Sequence, residues 1–212
     1  MEGGGVASSV MSFSVPKRLP AVFLCTVVMA GFAGCDLFRL RSPETPEDSG
    51  PTFPPATEPL IAIANLEQAV ALKNVQNYVI CFADANSGPR TFSFIPSADG
   101  SALYASVFRT WSITDEQAYF QNITARTTST SVTNLSLTQK SQFFAADSAV
   151  LDYEYILTIE HTDPTFPKTA RGSLEFALQR NPSTNIWTIY RWTDIQTPPD
   201  TSWSLFKGKF SN

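Results

Sequence analysis

The chain has 212 residues, 43% of them hydrophobic and 16% charged, with a formal net charge of −4. That length holds one ordinary domain with appendages and excludes a multidomain machine, and the apolar content excludes a wholly disordered chain. The mildly acidic balance gives no electrostatic footprint for nucleic acid, while 12% aromatic residues, 16 of them Phe, suit a β-rich core.

Lys17 and Arg18 precede an apolar run from Leu19 to Gly34, which ends in the small residues Ala33 and Gly34 directly before Cys35. The run covers 16 residues, short of the roughly 20 that a bilayer-spanning helix needs. Residues 1–34 therefore read as a signal peptide, with Met11 as an alternative start. Phe32-Ala33-Gly34-Cys35 resembles the lipobox of bacterial lipoproteins, with Phe32 where Leu is commonest. The resemblance implies cleavage before Cys35 and transfer of a diacylglyceryl group to its thiolate, the nucleophilic form of cysteine. A further palmitate-type chain on the new amine makes attachment lasting, because one chain alone binds only marginally. The expected location is the bacterial cell envelope, lipid-anchored to a membrane, with the domain periplasmic or surface-exposed; Asp36 does not decide between inner and outer membrane.

From Cys35 to Pro59 the sequence reads as a linker. Pro43, Pro46, Pro51, Pro54, Pro55 and Pro59 alternate with Ser, Thr and acidic residues, so the segment lacks apolar periodicity and should stay extended and unpacked. At about 3.1 Å per residue in polyproline II it would span at most about 75 Å. With Cys25 in the leader and Cys35 lipidated, Cys81 is the single cysteine left to the domain. A disulfide framework is thus excluded, and its neighbours Val79, Ile80 and Phe82 make Cys81 a buried helical thiol.

The domain is expected over residues 60–212. Ile63, Leu66, Ala69 and Val70, then Tyr78, Cys81 and Phe82, recur at three and four, the spacing of one helix face. Asn74 interrupts the stripe, so Ile61 to Phe82 forms two consecutive helices or one bent helix. Phe92, Phe94 and Pro96 alternate as a short strand, Asp99-Gly100 reads as a turn, and Thr114 with Gln117 resembles a capping box opening a helix from Asp115 to Ile123.

Beyond it the period changes to two, with strands expected at Ser129 to Thr138, Ala149 to Glu160, Arg171 to Arg180 and Asn185 to Gln196. In the second, Leu151, Tyr153, Tyr155, Leu157 and Ile159 share a face; in the third, Leu174, Phe176 and Leu178 do. In the last, Trp187 and Ile189 begin one face, but Tyr190 and Trp192 then break the phase, which requires either a bulge or cover on both faces.

Helices followed by a meander with an aromatic face give an α+β fold, a cone-shaped curved antiparallel sheet wrapped around the N-terminal helices. Asn65-Leu66-Glu67 through Asn74, Tyr78 and Phe82, then Phe92 and Phe94, Trp111 with Glu116, and finally Trp187, Ile189, Trp192, Asp194 and Trp203 resemble exported bacterial members of the nuclear-transport-factor-2-like (cystatin-like) superfamily, which includes SnoaL-like proteins. The resemblance covers most of Leu60 to Asn212. It implies a cavity at the open end of the cone, used by some members for proton transfer and by others for binding.

Asp194 is the candidate catalytic carboxylate, since burial among aromatics would raise its pKa and suit it to proton abstraction. Tyr153, Tyr155 and Trp192 are the candidate ligand-lining residues. His161, followed by Asp163-Pro164 and Phe166-Pro167, reads as an exposed loop residue. The sequons at Asn122 and Asn134 read as incidental. No glycine-rich phosphate loop, HExxH, CxxC pair or EF-hand run occurs, so no cofactor or metal is expected. The sequence thus points to a membrane-anchored, non-catalytic envelope lipoprotein that binds a small apolar ligand or a protein partner. The alternative is a SnoaL-like or ketosteroid-isomerase-like enzyme using Asp194. Asp152, Glu154 and Glu160 on the strand bearing Ile156 argue for a monomer or weak homodimer.

Overall fold

Alternating apolar residues give the strands one greasy face, and the helices cover it. A computed structural model of the protein describes residues 53–211; the leader, Cys35 and the linker through residue 52 lie outside the described residues. The chain is packed from Phe53 onward, earlier than the expected boundary at Leu60. Phe53 and Ala56 are buried, Asn65 Nδ2 donates to the Pro54 carbonyl at 2.9 Å, and Trp187 N donates to the Ala56 carbonyl at 2.8 Å. The apolar side chains within this short proline-rich stretch find the core, and its carbonyls find partners.

Helix α1 (Pro59–Ala71) begins with proline in its first turn, where the missing N–H is harmless, and buries Ala62, Ile63, Leu66, Ala69 and Val70. Lys73 takes a left-handed conformation (φ 53°) while Lys73 N and Asn74 N donate back to Val70 and Ala69, closing the helix end. The Asn74 side chain then accepts from Asn77 N at 2.9 Å and caps α2 (Val75–Val79). Of the two sequence alternatives, two consecutive helices is the one adopted. Cys81 lies just past α2 instead of within a helix, and burial pushes its thiol up to about 12.

Strand β1 (Ser93–Ile95) is followed by two short helices, α3 (Ala98–Leu103) and α4 (Ala105–Phe108). The turn expected at Asp99-Gly100 is instead the first turn of α3, where Asp99 accepts from Ser97 Oγ at 2.5 Å and favours the positive helix end. The next helix, α5 (Ile113–Ala125), starts two residues before the expected start at Asp115. Ser112 and Asp115, not Thr114 and Gln117, exchange the capping hydrogen bonds.

The sheet runs in the order β1-β5-β4-β3-β2, with β2 (Thr133–Phe144), β3 (Ser148–Ile159), β4 (Thr169–Arg180) and β5 (Trp187–Gln196) antiparallel and β1 parallel to β5. It is a curved sheet in an α+β fold. β2 lies later than expected, because Ser131 folds back onto Thr128 N and O in a turn before the strand starts. β3 alternates as read, with Leu151, Tyr153, Tyr155, Leu157 and Ile159 all inward.

The phase break in β5 is a bulge. Ala177 faces Arg191 and Leu178 faces Ile189, leaving Tyr190 as the extra residue. Trp187 and Ile189 point inward before it, Trp192 and Asp194 after it. A last helix absent from the sequence reading, α6 (Trp203–Phe210), packs across the inner face. It lies close: a Cβ on Gly208 would fall 2.3 Å from the Tyr104 ring, and one on Gly100 2.4 Å from Ser204 Cβ. Among the described residues, no helix is long and apolar enough to cross a membrane.

Candidate functional site

The interior carries an unusual amount of polarity. Trp203, Phe206 and Phe210 form the apolar stripe of α6, and Lys207 interrupts that stripe. Its ammonium is wholly buried and donates to Glu116 Oε2 of α5 at 2.5 Å, also wholly buried. Glu116 accepts two further bonds, from Tyr78 Oη at 2.6 Å and from Trp111 Nε1 at 2.8 Å. The other side of the ammonium faces aromatic rings, with centroids of Trp192 and Phe94 at 3.5 and 3.8 Å. Such cation–π contacts contribute about 2 kcal/mol when desolvated. Burial lowers the Lys207 pKa to about 8, against the opposing pull of Glu116 and Asp194.

Asp194 sits beside this pair. Oδ1 accepts from Tyr155 Oη at 2.8 Å, and Oδ2 accepts from Ser204 N and Ser204 Oγ at 2.7 and 2.5 Å. Burial raises its pKa and these hydrogen bonds oppose the rise. Tyr155 Oη also accepts from Trp203 N at 2.7 Å, and it passes Gly172, where a Cβ would lie 2.7 Å from it. The structure therefore brings together Asp194, Tyr155 and Trp192 of the sequence-predicted set. Tyr153 stands apart on β3, its ring tilted against Phe176 at a centroid distance of 6.4 Å. All four are buried, and α6 occupies the space the sheet encloses beside Asp194 and Trp192, with Trp203 stacked edge-on against Trp192 at 4.5 Å.

His161 is a correction: it is buried, not an exposed loop residue. Its ring packs on Phe166, Phe206 and Phe210 because the turn after β3 folds over the end of α6. Nε2 lies 3.0 Å from the Pro167 carbonyl and Nδ1 3.1 Å from Lys168 Nζ, so the neutral ring with the proton on Nε2 satisfies both. Lys168 also donates to the carbonyls of His161 and Asp163, and Asp163 pairs with Lys209 at 3.3 Å. Burial, helped by the Lys168 and Lys209 charges, holds the imidazole below its usual pKa.

The outer surface offers a different kind of site. Val79, Ile80, Phe82, Ile113 and Ile186 form the floor of a groove of about 330 Å³, rimmed by Asp84, Asn86, Ser87, Asn181 and Thr184. Volumes of this order suit a small molecule. Thr188 also lines it, and its buried Oγ1 has no hydrogen-bond partner. Asp84 is the one charged residue in the lining. Its Oδ1 accepts from Asn86 N at 2.9 Å and Ser87 Oγ at 2.5 Å, and these bonds, Ser87 first, hold the carboxyl below its usual pKa. Asn181 Nδ2 ties the far rim to the Asn86 carbonyl at 2.9 Å.

No sequence motif marks this groove, because its walls come from three separated segments. The one local signal is Ile80, an isoleucine that falls off the buried stripe of α1 and α2 and is 62% exposed. Among the described residues no group of three or more His, Cys, Asp or Glu is placed to hold a metal ion.

No protein-family model matches the chain, and no curated protein matches it. Among solved structures, the fold is similar to that of a protein from Novosphingobium aromaticivorans described as a candidate aromatic ring hydroxylase (14% identity, 69% of this chain and 91% of that one, TM-score 0.49). It is also similar to a conserved protein from Planctomyces limnophilus (10% identity, 63% and 89%, TM-score 0.48). A third is an NTF-2 like protein of unknown function from Shewanella oneidensis (11% identity, 65% and 95%, TM-score 0.39).

Two outcomes follow from the interior. Lys207→Met strands a buried carboxylate and should destabilise the protein by about 3–5 kcal/mol, and adding Glu116→Gln should restore part of that loss; urea unfolding of the two single variants and the double variant measures it, and additive losses would show the pair uncoupled. For His161 the unfolded chain takes up a proton near pH 6.5 that the folded chain resists. Its contribution is therefore complete above that pH and lost as pH falls through the lower folded value. His161→Phe should flatten the difference between urea midpoints at pH 5 and pH 7.

Proposed function

We propose that the protein is a lipid-tethered binding protein of a bacterial envelope, held by Cys35 and recognising a small, largely apolar molecule in the groove over Ile80, Ile113 and Ile186. The groove carries this reading: a concavity of about 330 Å³ with an isoleucine-rich floor and a polar rim combines apolar burial with a few orienting polar groups. The interior supports it indirectly. Both oxygens of Asp194 are engaged by Tyr155 and Ser204, and α6 takes up the space beside them, which favours recognition on the outside over proton transfer within. The leader from Lys17 to Cys35 supports the tether. On the outer sheet face, Ile156 lies opposite Arg171 and two residues from Glu154, which pairs with Lys140. That supports a monomer or weak homodimer.

Two measurements test the reading. Mass spectrometry of the native product should find Cys35 as the first residue, bearing a diacylglyceryl group; an intact leader overturns the tether. For the groove, methyl spectra of isoleucine-labelled full chain titrated with benzyl alcohol should shift at Ile80, Ile113 and Ile186. Ile80→Asp, at an exposed position, should weaken binding about tenfold by placing a charge on the apolar floor, a loss of about 1.4 kcal/mol. Shifts confined to the interior Ile63, Ile123 and Ile189 would refute the site.

A further inference from the structure

The hairpin tip between β2 and β3 departs from the alternation that the strands keep elsewhere. Phe143, Phe144, Ala145 and Ala146 follow one another there and all four are exposed, Phe143 at 66% and Phe144 at 45%. Four apolar residues in a row on a surface are unfavourable in water and mark a contact. Phe143 stands opposite Val150 and Phe144 opposite Ala149, and because successive side chains of a strand alternate, the two rings lie on opposite faces of the hairpin. The tip is a wedge with an aromatic ring on each side. The charges around it are mixed: Asp147 lies in the turn, Arg180 ends β4 with its backbone N–H on the Asp147 carbonyl, and Lys140 is paired with Glu154. The tip is therefore apolar without being basic.

Its place in the sheet points to what it meets. Trp187, which opens β5 and donates to the Ala56 carbonyl, stands opposite Arg180; Gln179 stands opposite Ser148, and Ala149 opposite Phe144. The chain that follows Cys35 thus joins the fold at the same end of the sheet as the hairpin tip, three strand spacings or about 15 Å across. Between Cys35 and Phe53 lie 17 residues, about 55 Å in polyproline II, which bounds the distance between that cysteine and this end of the sheet. We propose that the Phe143-Phe144 tip inserts into the lipid surface that carries the anchor, a second apolar attachment that sets which end of the domain faces the membrane. The inference rests on the reading of Cys35 as lipidated. Burial of the rings at the acyl boundary supplies the attraction, and the tether supplies a high local concentration of membrane, so the tip need bind only weakly by itself.

The test uses the lipidated full chain in phosphatidylcholine vesicles brominated on their acyl chains, with a reporter tryptophan at either end of β2. Phe144→Trp stands at the tip, and Val132→Trp, also at an exposed position, stands about 40 Å away, just before the strand begins. The native Trp111, Trp187, Trp192 and Trp203 are buried, and the wild-type chain gives their signal for subtraction. Bromolipid should quench the Phe144→Trp reporter about threefold more than the Val132→Trp reporter, at low and high salt alike, because apolar insertion is not screened. Adding Phe143→Ser to the tip reporter should reduce its quenching by about half while leaving the melting temperature unchanged, a split that a ring needed only for folding would not give. Equal quenching at the two ends of a chain shown by mass spectrometry to carry the lipid, or quenching lost at high salt, overturns the inference and leaves the tether reading standing. A concentration-dependent dimer that Phe143→Ser dissolves also overturns it, by making the tip a contact between copies. An unmodified Cys35 defeats the tether reading and this inference with it.

Discussion

The contact between Lys207 and Glu116 governs the interior. Each charge has left water completely, and an isolated buried ion is so unfavourable that the fold must deliver its partner. Glu116 also accepts from Tyr78 and Trp111, so one carboxylate ties α2, the segment before α5, α5 itself and α6 into a single arrangement. A shift of α6 by one residue would carry Lys207 away from both the carboxylate and the rings of Trp192 and Phe94. The pair therefore specifies where the C-terminal helix sits more than it adds net stability, since an apolar replacement of both partners can be equally stable.

The bulge in β5 does related work on the sheet side. Side chains alternate with a period of two, so an unbroken strand that buried Trp187 and Ile189 would also bury Arg191 and Thr193. Inserting Tyr190 shifts the phase and turns Trp192 and Asp194 inward. Asp194 then receives the first turn of α6 through Ser204, and Tyr155 bridges it to Trp203. Small residues make room for this convergence: Gly172 beside the Tyr155 hydroxyl, and Gly208 and Gly100 where α6 crosses Tyr104 and α3. Outside this engaged interior, apolar and polar side chains meet in the groove between α2, the start of α5 and the β4–β5 turn.

Much of the framework was legible locally. The stripe of α1, the break at Asn74, the alternation in β3 and the phase conflict in β5 are each set by neighbours within a few residues, where helix and strand geometry act directly. Other features were not. The short helices α3 and α4 and the eight-residue α6 are too brief for propensity to assert itself and form because the core selects them. Ser202 before the stripe of Trp203, Phe206 and Phe210 was the signal available for α6, yet Lys207 and Gly208 within it look unfavourable until their partners are in view. His161 looked exposed for the same reason: the aromatic residues that cover it, Phe206 and Phe210, are some 45 positions away in the chain.

The amino-acid sequence by itself determined the α+β class, the strand faces and the expectation of a leader ending at Cys35, because these follow from periodicity, charge and short-range spacing. Tertiary structure alone decided that Lys207 meets Glu116, that Asp194 is held by Ser204 and Tyr155, and that Ile80, Ile113, Ile186, Thr188 and Asp84 share one groove. The physical reason is distance along the chain. A pattern within one element is imposed by local backbone geometry, whereas a buried charge pair or a groove wall is fixed by packing between segments tens of residues apart, and nothing in either segment announces the other.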